Sequence, residues 1–144
     1  MKMLRNALAV VVGFITGSIV NMALVTIGPQ LIPLPAGVNV TDPTKLAATI
    51  QLLEPRHFVF PFLAHALGTL AGALLSYLLA GSHQALFARI VGALFLAGGI
   101  VASRMIPAPK WFLVLDLAVA YLPMAWAGAW LGRKIRKETE PLAG

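Results

Sequence analysis

A chain of 144 residues that is 59% hydrophobic and 11% charged is too apolar for a water-soluble domain, in which charged residues make up about a quarter. The lack of cysteine excludes disulfide frameworks, thiolate metal sites and thiol nucleophiles. A net charge of +6 has the sign that attracts nucleic acid, but the basic residues flank apolar runs and form no single face, so no nucleic-acid partner is expected.

The composition predicts an all-α membrane protein: one integral domain over residues 1–144, with four transmembrane helices of about 20 residues each surrounded by the lipid bilayer. The first apolar run, residues 7–27, follows Lys2 and Arg5. It exceeds the roughly 7–15 residues of a signal-peptide core and lacks a small-x-small cleavage site, so it reads as a retained helix. Gly28-Pro29 is predicted to end it.

The only long loop follows. Its prolines at 29, 33 and 35 predict an extended start. Asp42 then caps a short amphipathic helix whose first residue is Pro43, and Leu46, Ile50 and Leu53 recur at helical spacing until Pro55. This helix in the first external loop is expected to lie on the membrane surface or on the helix ends of the bundle. Asn39-Val40-Thr41 matches a glycosylation sequon, which has meaning only in a eukaryotic secretory protein.

The second span is predicted over residues 57–80, the third over 85–105 after a tight turn at Gly81-Ser82-His83-Gln84, and the fourth over 111–131 after a proline-containing turn. Lys2, Arg5, Arg89, Arg133, Lys134, Arg136 and Lys137 then fall on one side, against Lys45, Arg56, Arg104 and Lys110 on the other. Basic residues accumulate on the cytoplasmic side, so both termini are expected there. The cluster from Arg133 to Lys137 is expected to hold anionic lipids, at about 1 kcal/mol per basic residue.

Small residues permit close helix approach in lipid. Gly13/Gly17, Gly68/Gly72 and Gly128/Gly132 have the four-residue spacing that suits it, as packing within the chain or as the contact of a homo-oligomer or larger membrane complex. On the second span His57, Pro61, His65, Gly68, Gly72 and Ser76 form a stripe about 100° wide that must face protein.

Ionisable and amide groups inside a membrane are costly, which directs attention to Asn21, His65 and Asp116, each roughly 8–12 Å from the external end of its predicted helix. With Arg104 they form the candidate polar pocket, rimmed by Glu54, Arg56 and His57. The short hairpin between the last two spans makes an Arg104–Asp116 ion pair the expected partner arrangement. Pro123, which frees the carbonyl of Val119, should kink the fourth span near Tyr121.

Geometry excludes several sharper readings. His57 and His65 stand about 12 Å apart along one helix, too far to share a metal. A bis-histidine haem would need a second buried histidine at the depth of His65, which only a dimer offers. Ser76 lies about 16 Å below His65, too far for a serine–histidine pair. No catalytic residue, cofactor or metal ligand is therefore assigned.

The segment Glu54-Pro55-Arg56-His57-Phe58-Val59-Phe60-Pro61-Phe62-Leu63-Ala64-His65-Ala66-Leu67-Gly68-Thr69 resembles small four-helix bacterial membrane proteins that have no assigned activity; the resemblance covers residues 54–72 and 107–123. It implies a bacterial inner membrane. The expected function is non-enzymatic, as a subunit of a membrane complex or a small ligand-binding or transport bundle with an outward-facing polar pocket. The alternative is a membrane-embedded enzyme that uses His65 and Asp116 as acid–base groups.

Overall fold

The computed structural model describes residues 1–39 and 42–139. Six α-helices run in the order α1 (Lys2–Leu31), α2 (Pro43–Thr49), α3 (Val59–Leu79), α4 (Gln84–Met105), α5 (Lys110–Val119) and α6 (Leu122–Thr139), with no strand among the described residues. Counting α5 and α6 as one broken rod and a short 3-10 turn, Pro55–Phe58, as the lead into α3, four helices are long and apolar enough to cross a membrane.

The first helix does not stop at Gly28-Pro29. It runs to Leu31 with Pro29 inside its last turn, and ends where Ile32 precedes Pro33 and takes an extended conformation, as a residue before proline prefers. Gly28 serves packing instead: a side chain there would strike the ring of Phe60.

Asp42 caps α2 by accepting from the backbone N–H groups of Thr44 and Lys45 at 3.0 and 3.3 Å. The Thr44 hydroxyl, at 2.6 Å, is the main cause that holds the Asp42 carboxyl below its ordinary range. A 3-10 turn, Ile50–Leu52, completes the segment. Ile50 is buried with Phe58 and Phe112, and Leu46 and Leu53 pack beside them, so the loop helix covers the ends of α3 and α5. Of the glycosylation sequon only Asn39 lies within the described residues.

The central helix is α3, which packs against α1, α4 and α6. Its small stripe lets backbones touch. A Cβ on Gly72 would meet the carbonyl oxygen of Gly13, and one on Gly68 would meet that of Gly17 at 2.8 Å. On the other side, Gly128 and Gly132 of α6 sit against Leu70 and the ring of Tyr77. All three glycine pairs therefore make contacts inside the chain.

The start of α1 and the end of α6 lie at one end of the bundle. There Arg5 Nε donates to the carbonyl of Leu79 at 2.8 Å and Arg136 donates to that of Ala80 at 3.3 Å, so two cations cap the carboxyl end of α3. Asn6, itself buried, accepts from the backbone of Gly81 at 2.8 Å and donates to Ser82 Oγ at 2.9 Å. These bonds fix the tight α3–α4 turn, in which His83 takes a left-handed conformation with φ 47°.

Candidate functional site

At the opposite end, beneath the loop helix, lies a partly open cavity of about 240 Å³. Its walls are apolar: Val25 and Gly28 from α1, Ile32 just beyond its end, Ile50 from the loop, and Ile106 and Phe112 from the α4–α5 hairpin. His65 and Asp116 also line it. An apolar cavity of ~150 Å³ admits a molecule the size of benzene, so this one has room for a small organic ligand.

The polar group is a relay of three side chains. His65 Nδ1 lies 2.8 and 3.0 Å from Oδ1 and Oδ2 of Asp116, and the Tyr121 hydroxyl donates to Oδ2 of the same carboxylate at 2.9 Å. The His65 and Tyr121 rings stack with centroids 5.7 Å apart. A carboxylate can only accept, so the proton on the imidazole sits at Nδ1. Nε2 has no hydrogen-bond partner among the described residues, and the residue lines the cavity. The carboxylate is 6% exposed and the imidazole 27%, so the histidine is the member a ligand can reach.

Local sequence explains the relay. Residues five apart on a regular helix point about 140° away from each other, so Tyr121 would not face Asp116 on an unbroken rod. Pro123 supplies no N–H for the carbonyl of Val119. The helix breaks at Ala120-Tyr121 rather than merely kinking, and α6 restarts with the Ala125 N–H bonded to the Tyr121 carbonyl at 2.8 Å. The break turns the phenol towards Asp116. Gly99 of α4 makes room for it, because a side chain there would collide with the hydroxyl.

The other residues singled out from sequence take separate places. Arg104 is exposed on the last turn of α4 and has no ion pair with Asp116; the acid is met by His65 from α3 instead. A long cation near a helix end reaches solvent at little cost, whereas Asp116 is held inside. Asn21 does not line the cavity but lies beside Gly68, where a side chain on that glycine would press on the Asn21 Cβ. Because α1 continues to Leu31, Asn21 is about 15 Å from the helix end, a turn below the cavity floor.

Glu54 and Arg56 pair with each other at 3.0 Å on the surface and are not among the cavity-lining residues. His57 does line it, but is buried and spent on structure: Nδ1 accepts from the Glu54 N–H at 2.9 Å, which leaves Nε2–H to donate to the Pro33 carbonyl at 3.1 Å. It staples the extended loop to the start of α3. Tyr121, Gly99 and the apolar walls were not assigned to the site from sequence; the proline two residues after Tyr121 was the available signal for the first.

No group of three or more metal-binding side chains occurs among the described residues. No family model, curated protein or solved structure matches this chain. Fold and site together describe an all-helical protein with four membrane-compatible helices and a histidine–aspartate pair at the floor of an apolar cavity.

Proposed function

We propose that this chain is a multi-pass protein of a bacterial inner membrane, with both termini in the cytoplasm, that binds a small, mainly apolar ligand in the loop-end cavity. The observation that carries this reading is His65, oriented by Asp116 and presented to an apolar cavity. A ligand with an apolar body and one terminal hydroxyl matches that chemistry: the body replaces lipid or water against Ile32, Ile50 and Phe112, and the hydroxyl bonds Nε2. The packing glycines are occupied within the chain, which favours a ligand-binding bundle over a subunit that depends on those faces.

Photolabelling with a diazirine-bearing octanol in detergent or nanodiscs tests the reading. Adducts are expected on His65, Asp116 or Phe112, and should fall when Ala102→Phe narrows the cavity. Adducts confined to lipid-facing Leu67, Val101 and Trp111 would count against it.

The same pair supports a second reading, a membrane-embedded acid–base enzyme, because the Nδ1 bond to a carboxylate leaves Nε2 as a proton acceptor. The readings separate on His65→Gln, which in an enzyme abolishes turnover while the apolar walls still hold the ligand.

A further inference from the structure

A second concavity, of about 220 Å³, lies at the other end of the bundle between α4 and α6. Its floor is Tyr77 of α3, whose ring packs on Gly132. Arg89 from α4 and Arg133 from α6 both border it, and Trp126 and Trp130 form its aromatic side. We propose that this groove is a binding site for one anionic phospholipid of the leaflet nearest the termini, with its phosphate between Arg89 and Arg133 and an acyl chain along Tyr77 and Trp126.

Three observations support the assignment. The two guanidiniums come from different helices yet border one concavity, and neither takes part in an ion pair among the described residues. Arg89 uses only Nε, on the carbonyl of Ala85 at 3.0 Å, which leaves its terminal nitrogens for a phosphate. The polarity also changes along the groove as it does along a lipid. Arg133 is one turn inward of Arg136, which caps α3, and Trp126 lies about 10 Å deeper still. Trp126 is 67% exposed, a large aromatic surface left for an acyl chain to cover. Lys134, stacked over Trp130 at 3.9 Å, adds a third cation beside the mouth.

An aromatic belt with scattered basic residues would attract anionic lipid without holding one molecule in place. The distinction is measurable. The protein, carrying Trp111→Phe so that only the two groove tryptophans report, is reconstituted in phosphatidylcholine vesicles with a small fraction of dibrominated phosphatidylglycerol. Quenching is compared with that from the same fraction of dibrominated phosphatidylcholine. A preference for the anionic lipid is expected, falling roughly fivefold for each of Arg89→Gln and Arg133→Gln. Ala85→Phe, which keeps every charge but narrows the groove, should remove the preference as well. Lys2→Gln with Lys137→Gln, which removes twice the charge of either arginine variant at the same end, should leave it nearly intact. Equal quenching by the two lipids in the parent, or a loss in the lysine control as large as in the arginine variants, would overturn the site.

Discussion

Tyr121 donates its phenol to Asp116, five residues earlier in the chain, across a break in the fourth rod just ahead of Pro123. The bond requires Gly99 on the facing helix, so three elements meet at one hydroxyl. Tyr121→Phe removes a donor from a buried carboxylate and is expected to cost about 1–3 kcal/mol. Gly99→Ala should destabilise by a similar amount in the presence of the hydroxyl and by clearly less in the Tyr121→Phe background. Thermal unfolding of the four proteins in detergent checks this; strictly additive effects would mean that the two residues do not share the contact.

The partner of Asp116 is His65, not Arg104. A double-mutant cycle on His65 and Asp116 should give a coupling of about 1.5–3 kcal/mol, as for hydrogen bonds to charged groups. The corresponding cycle on Arg104 and Asp116 should give nearly zero. Denaturant unfolding in mixed micelles provides both, and a larger coupling to Arg104 would reverse the assignment.

Thr69 Oγ1 and Ser76 Oγ are fully buried and have no hydrogen-bond partner among the described residues. An unsatisfied buried hydroxyl destabilises by about 1–3 kcal/mol. Thr69→Val, which keeps the shape of the side chain, should therefore raise the unfolding midpoint. A fall would reveal a bond made by that hydroxyl in the folded protein.

Orientation rests on seven basic residues at one end of the bundle against four at the other. A reporter fused after Lys137 should behave as cytoplasmic and one inserted in residues 44–53 as exported. The reverse pattern at either point would invert the bundle.

Much of the fold could be read from sequence because its causes are local. Four apolar runs, the Asp42-Pro43 helix start and the small stripe on α3 each follow from periodicity or capping. The site was less legible because it depends on where helices end and which neighbours face each other. Gly28-Pro29 has the composition of a helix stop, yet the helix continues to Leu31 and Gly28 is needed against Phe60, which places Asn21 deeper than its distance from Gly28 implies. A hairpin joins the helices of Arg104 and Asp116, but adjacency in sequence does not decide which of three packed helices supplies the nearest side chain. The relay through Tyr121 needed the geometry of a helix break, which Pro123 signals without specifying.

His65 stands at the floor of a cavity that lies at the loop end of the bundle. The natural chain has no cysteine, so His65→Cys can be probed in intact vesicles with a membrane-impermeant thiol reagent, beside Leu67→Cys at nearly the same depth on the lipid face. Position 65 should be labelled in the folded protein from the loop side of the bundle, and position 67 should not. Protection of position 65 until the protein is denatured would show a closed packing core with no cavity open to the loop end.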